Sequence, residues 1–243
     1  MAETIIGRNA VLEALKGNRE IEKITLAKGA EGSVKQIAAK ARDKHIPIYY
    51  SDKARMDKAA SGGAHQGVIA VVSDYKYCTV DDILARAAQR GEDPFIIILD
   101  GLEDPHNLGA IMRTAECAGV HGIVIPKRRS VSVTETVAKT SAGAVEYMLC
   151  AKVTNIANEI EKLKEKGVWV GACDMGPDLY YRQDLKGPIA IVIGAEGAGI
   201  SRLVKEKCDF VVSIPMKGNI TSLNASNAAS ILIYEVVRQR MDI

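Results

Sequence analysis

The sequence predicts an α/β protein of two unequal parts, a small N-terminal domain and a larger, mainly parallel one. Two observations carry that reading. From Phe95 onward, short continuous apolar runs alternate with helix-like segments, the pattern of strands covered on both faces. Before residue 74 the segments are shorter and mixed, with turn signals at Lys28-Gly-Ala-Glu-Gly32 and Ser61-Gly-Gly63. The boundaries expected are 1–74 for the first domain, 75–93 for a linker and 94–243 for the second domain.

In the first part, residues 9–15 read as a short helix, 21–27 as a strand and 33–44 as a helix. Residues 46–50 and 67–73 read as strands. A domain of this size holds a small but feasible core. The linker carries one helix over 80–89, then Arg90-Gly-Glu-Asp-Pro94. In the second part, 95–99, 122–125, 147–153, 168–173, 189–193 and 210–214 read as strands. Residues 108–118 form a helix stopped by Gly119, and 225–240 form the longest helix. Periodicity alone predicts an ordinary, unknotted doubly wound sheet, because knotted chains are rare.

Composition excludes several classes. The chain has 243 residues, 26% of them charged, and a net charge of +2, as an ordinary globular protein does. No apolar run has the length of a membrane span, and the N-terminus lacks a signal peptide's apolar core, so the cytoplasm is the expected location. Five Cys without a Cys-x-x-Cys spacing read as reduced thiols, and four scattered His offer no metal-ligand pattern. No metal is expected. Charge alone does not announce nucleic acid. Lys127-Arg-Arg129 and the group Arg8, Lys16, Arg19 and Lys23 are local basic clusters, although a solvated surface carries such clusters too. Aromatic residues are few, so contact with RNA would rest on phosphate and ribose rather than on a stacking platform.

Three blocks concentrate polar groups where apolar runs end. Phe95-Ile-Ile-Ile-Leu99 delivers the chain to Asp100-Gly-Leu-Glu-Asp-Pro-His-Asn107, at the strand edge where open α/β sheets bind ligands. Asn107 is placed to begin a helix, either as a simple cap or as a site residue. Arg113 follows Gly109 by four positions and so shares its helical face, leaning back toward the loop of Asn107. An ion pair from Arg113 to Glu116 is the plain structural alternative. The second block, Gly194-Ala-Glu-Gly-Ala-Gly199, reverses the spacing of a dinucleotide-binding loop. Its Glu196 reads either as a site acid or as charge at a helix N-terminus. The third block, Ser222-Leu-Asn-Ala-Ser-Asn-Ala-Ala-Ser230, opens the last helix with more Ser and Asn side chains than a cap needs.

In order and spacing, and with Ile214-Pro-Met-Lys-Gly218 before the third, these blocks resemble the SpoU (TrmH) family of RNA ribose 2′-O-methyltransferases. Residues 94–240 resemble the catalytic domain. Ile5-Ile-Gly-Arg-Asn-Ala-Val-Leu-Glu-Ala-Leu15 and His65-Gln-Gly-Val-Ile-Ala70 resemble the substrate-binding extension of the ribosomal RNA subgroup. The resemblance implies a small α/β/α RNA-binding domain and a C-terminal SPOUT methyltransferase domain with a deep trefoil knot. It implies S-adenosyl-L-methionine as methyl donor, a homodimer with the last helix in its interface, and 23S ribosomal RNA, at a guanosine, as partner and substrate. It assigns Asn107, Arg113, Glu196, Ser222 and Asn224 to the reaction centre. It assigns Gly194, Ile214, Met216, Leu223 and Ser226 to the donor site. Ala225 and Asn227 depart from the family's frequent Val. The same chemistry on tRNA or another rRNA, and a non-catalytic RNA-binding assembly factor, are the alternatives.

Overall fold

The structure, a computed structural model, describes residues 3–17 and 19–241. It divides into two units, one of residues 1–76 with 133–147, the other of residues 77–132 with 148–243.

The first unit follows the order β1 (Glu3–Ile6), α1 (Arg8–Lys16), β2 (Ile21–Ala27), α2 (Ser33–Asp43), β3 (Ile48–Ser51), α3 (Lys53–Ala59) and β4 (Val68–Val72). The sheet order is β1-β4-β2-β3, with β4 antiparallel to both neighbours and β3 parallel to β2. Apolar spacing explains most of it: Val11 and Leu15 of α1 and Ile37 of α2 are buried with Ile24 and Leu26 of β2. Two elements were not predicted. β1 is four residues long and half polar. α3 buries Met56 alone among its seven residues, so no apolar stripe announces it; Asp52 caps it, accepting from the Arg55 amide at 2.9 Å.

A segment from the middle of the chain completes this unit. Helix α6 (Glu135–Thr140) packs on β1, and a 3₁₀ turn (Ala144–Glu146) packs on α1. Arg19 ties it in, bonding the carboxylate of Glu3 and lying 3.4 Å from Glu146 Oε1. Its Nε donates to the Ser73 carbonyl at 2.7 Å. Tyr147 donates to Glu13 at 2.8 Å. The strand expected over 147–153 therefore shrinks to β7 (Cys150–Val153), because Tyr147 belongs to this packing and not to a sheet.

The second unit begins with α4 (Val80–Arg90), held by a capping box between Thr79 and Asp82 and closed by Gly91 in the left-handed region. Then come β5 (Phe95–Asp100), α5 (Pro105–Cys117), β6 (Gly122–Pro126) and β7. After these follow α7 (Ile156–Glu165), β8 (Trp169–Cys173), β9 (Ile189–Gly194), α8 (Arg202–Lys207), β10 (Phe210–Val212) and α9 (Ala225–Arg240). All six strands are parallel, in the order β10-β8-β9-β5-β6-β7. The central strands are fully apolar, as a sheet covered on both faces requires: Ile96, Ile97, Ile98, Ile191 and Val192 are completely buried. Parallel strands put all their C-terminal ends on one edge, and that edge carries the polar blocks. Among the described residues no helix is long and apolar enough to cross a membrane, and no His, Cys, Asp or Glu cluster could hold a metal.

Candidate active site

The first loop leaves β5 at Asp100. Helix α5 starts earlier than its apolar pattern indicates: Pro105 occupies its first turn and Asp104 caps it, accepting from the His106 amide at 2.8 Å. Asn107 is therefore not the cap. It sits inside the first turn, 4% exposed, with its side chain free for other work.

The second loop closes on itself. The amide of Ala195 donates to the Gly199 carbonyl at 3.1 Å, and the Gly199 amide returns the bond at 2.9 Å. A Cβ on Gly194 would lie 2.2 Å from the carbonyl carbon of Gly199, so only glycine permits this closure. Gly197 and Gly199 adopt positive φ of 80° and 67°. Asp100 fixes the loop's far side, accepting from the Ser201 amide at 2.8 Å. Glu196 rides near the tip. It is not helix-terminal charge, because α8 begins six residues later.

The third loop runs into α9, and Asn224 is its cap. Asn224 Oδ1 accepts from the amides of Ser226 at 2.9 Å and Asn227 at 3.4 Å, and from the Ser226 hydroxyl at 2.6 Å. Backbone donors fix which end of the amide is oxygen, so Nδ2 faces away from the helix. It donates to Asn107 Oδ1 at 2.9 Å and also to Glu196 Oε1. Asn107 Nδ2 then donates to the same Glu196 oxygen at 3.0 Å. Three side chains, from the first turn of α5, the Gly194–Gly199 loop and the cap of α9, up to 117 positions apart, form one closed hydrogen-bonded cluster.

A second contact holds α5 against α9 behind the cluster. Thr114 and Ser230 hydroxyls lie 3.1 Å apart, and Ser230 also donates to the Ser226 carbonyl at 2.8 Å. Sequence reasoning missed Asp100, Asp104 and Ser230 as positioning groups. Asp-x-x-x-Asp-Pro was visible, but which Asp caps and which reaches across to another loop depends on tertiary placement.

Other expected residues stand apart from the cluster. Arg113 is exposed, six positions and so about 9 Å along α5 from Asn107. Among the described residues it makes no hydrogen bond or ion pair, so the plain alternative, a pair with Glu116, is not formed. Ser222 is exposed. Met216 and Leu223 are 39% and 37% exposed, large apolar side chains presented on a polar edge. The strand expected over 210–214 ends at Val212, so Ile214 lies two residues past β10, and the amides of Ile214, Met216 and Leu223 make no backbone hydrogen bond among the described residues. Apolar side chains beside open main-chain groups suit a flat heterocycle with a polar rim. On α9, Leu232 and Val236 are buried in this unit's own core, whereas Ala228 and Ile231 are half-buried and Asn227 and Tyr234 are exposed.

Comparison with known proteins agrees with this architecture. Residues 94–234 match the SpoU rRNA Methylase family, and residues 4–78 match the domain described as RNA 2′-O ribose methyltransferase substrate binding. YacO of Bacillus subtilis (strain 168), provisionally named a TrmH family tRNA/rRNA methyltransferase, is 49% identical over 97% of this chain and 95% of its own. A Staphylococcus saprophyticus protein with the same family name is 46% identical over 97% and 95% of the two chains. Among solved structures, the SpoU methyltransferase AviRb from Streptomyces viridochromogenes, in complex with AdoMet, superposes with a TM-score of 0.84. It is 23% identical, over 100% of this chain and 92% of its own, a likeness of fold.

Proposed function

We infer the reaction from one premise: this chain belongs to the SpoU rRNA methylase family. It is an RNA methyltransferase, and its methyl donor is S-adenosyl-L-methionine. Its first unit binds substrate RNA. Our reading goes further: the acceptor is a ribose 2′-hydroxyl, that of a guanosine in 23S ribosomal RNA. In the division of labour, residues 1–74 completed by 133–147 serve the RNA and the rest of 94–243 carries the reaction, with 75–93 joining them. The enzyme works as a cytoplasmic homodimer, with α9 in the interface and the methyl-donor loops drawn into a trefoil knot.

The observation that carries this reading is the closed cluster of Asn107, Glu196 and Asn224. Methyl transfer to an alcohol needs an in-line oxygen, loss of its proton and a held ribose. The bound donor supplies the electrophilic methyl group. Glu196 keeps one carboxylate oxygen for Asn107 and Asn224, which fixes its plane and leaves the other oxygen to accept from the ribose hydroxyl. Ser222 adds a hydroxyl at the rim. Arg113 stays protonated and grips the neighbouring phosphate with its planar fork, steadying the ribose and drawing charge from it. The donor side is formed by the Gly194 backbone, by the Ser226 hydroxyl and by Ile214, Met216 and Leu223, whose open main-chain groups and apolar side chains fit an adenine ring.

The names of the curated relatives keep tRNA as a second substrate reading. The test is a map of ribose methylation in rRNA and tRNA from a strain lacking this protein. The reading predicts loss of one 2′-O-methylguanosine in 23S rRNA with tRNA unchanged. Loss confined to tRNA overturns the rRNA assignment. Failure of the purified protein to bind S-adenosylmethionine would favour a non-catalytic RNA-binding role.

A further inference from the structure

The C-terminal edge of the large sheet carries a second feature that the reaction centre does not use. A cavity of about 390 Å³ opens beyond β6 and β7, where Lys127, Lys152, Lys162 and Lys166 converge from three different segments of the chain. Two of the four are matched. Lys162 lies 3.1 Å from Glu159, and Lys166 pairs with Asp81. Lys127 and Lys152 have no carboxylate partner among the described residues. Lys152 is held in place: its Nζ donates to Ser132 Oγ at 2.8 Å and stands 4.1 Å from the centre of the Tyr77 ring. Lys127 continues directly into Arg128 and Arg129, both exposed. The N-termini of α4 and α7 nearby are capped by their own Thr79 and Asn155, so the lysines supply the attraction.

We propose that this groove binds the phosphate backbone of the substrate RNA, with Lys127 and Lys152 as its contacts and Arg128 and Arg129 continuing the track. The inference rests on the RNA methyltransferase reading and adds a place for the strand to lie. The geometry favours RNA over a small anion. The groove is on the same sheet edge as Asn107 and Glu196, two strands away from β5 in the order β5-β6-β7. Strands about 4.8 Å apart put it roughly 10 Å from the reaction centre. That is one or two nucleotides along a single strand, so a chain with its target ribose at Glu196 passes over these lysines. Two uncompensated ammonium groups at the rim suit successive phosphates. The low count of aromatic residues fits a strand held by its backbone rather than by its bases.

The test is the salt dependence of binding between the full-length protein and a fluorescent 30-nucleotide single-stranded RNA. Each phosphate neutralised on single-stranded RNA contributes about −0.7 to the slope of log K against log salt. The Lys127→Gln/Lys152→Gln variant is expected to lose about 1.4 from the slope. Its thermal midpoint and its affinity for S-adenosylmethionine are expected to stay at wild-type values. Lys127→Arg/Lys152→Arg is expected to keep the wild-type slope. Arg90→Gln/Lys186→Gln removes equal charge before β5 and β9, on the opposite edge, and is expected to change the slope little. An unchanged slope in the first variant overturns the groove, and so does an equal loss in the opposite-edge control, which would mean a diffuse field only. The two inferences fail separately: a wild-type protein that binds the donor and RNA but forms no 2′-O-methylnucleoside contradicts the reaction, while the slopes still judge the groove.

Discussion

Two polar networks tie distant parts of this chain together, and they differ in one respect that separates function from scaffolding. In the substrate-binding unit, Arg19 joins Glu3 and Glu146 across 127 positions, and the Arg19 and Glu146 side chains are 6% and 4% exposed. In the methyltransferase unit, Asn107, Glu196 and Asn224 join across 117 positions, but Glu196 and Asn224 face solvent. The first network closes over its charges. The second spends its bonds on orientation and leaves a carboxylate edge open. Removing a member of the first should cost folding; removing a member of the second should cost rate.

The largest effect is expected at Arg113, which stands outside both networks. Arg113→Ala and Arg113→Lys should each lower turnover by about 100-fold or more, the scale of losing a preorganised charge partner, while donor binding is unchanged. Steady-state methylation beside calorimetric titration of the donor checks this. Substantial activity in Arg113→Lys would remove the planar phosphate grip from the account.

Arg19→Ala should act in the opposite way. It strands two buried carboxylates, one of which already has an oxygen without a hydrogen-bond partner, Glu3 Oε1. Breaking a buried pair costs about 3–5 kcal/mol. Burial already raises the Glu146 carboxyl above its ordinary 4.5, against the pull of Arg19. A carboxyl raised in the folded state contributes stability that is full below its ordinary value and lost as pH rises through the raised one. The Arg19→Ala defect should therefore be worst at neutral pH and ease toward pH 4.5, in denaturant titrations at both values. A variant stable at pH 7 but slow in methyl transfer would erase the contrast between the networks.

A smaller effect belongs to His121, buried beneath the opposite edge of the sheet. Its Nδ1 accepts from the Phe95 amide at 3.0 Å, so the neutral ring carries its proton on Nε2, 2.9 Å from Glu92. Burial lowers its pKa, against the pull of Glu92. The stability that depends on the neutral ring is present above the ordinary 6.5 and lost as pH falls through the lowered value. Unfolding midpoints should drop between pH 7 and 5 in the wild type and flatten in His121→Gln. Equal slopes would show that the ring does not titrate on unfolding.

Much of this was legible in the sequence, and the gaps share a cause. Runs such as 95–99 and 189–193 announce buried parallel strands, and α9 was placed at its full extent because caps and periodicity agree. The helix start at Pro105 was misplaced because Leu108 is the first apolar residue, while the cap lies one turn earlier at Asp104. The segment 133–147 was misassigned for a different reason. Its Val137, Ala138 and Val145 are buried by partners in the first unit, and no local pattern names a partner more than a hundred residues away. A cut at residue 74 would bare those side chains, so the small domain is not separable by that cut alone. Asn107, Glu196 and Asn224 were readable as candidates, but their meeting in one cluster came only with the fold.

The central claim is that Glu196 and Asn224 serve one reacting centre. The most direct test is a double-mutant cycle in single-turnover methyl transfer with saturating donor. Asn224→Ser suits it because serine keeps a cap for α9 and removes only the amide that reaches Glu196 and Asn107. Glu196→Gln completes the pair. Each single variant should slow transfer by about 10- to 100-fold, and the double variant should lose clearly less than the product of the two, because groups acting as one unit are non-additive. Losses that multiply strictly would mean that the two residues act independently, and would contradict the account.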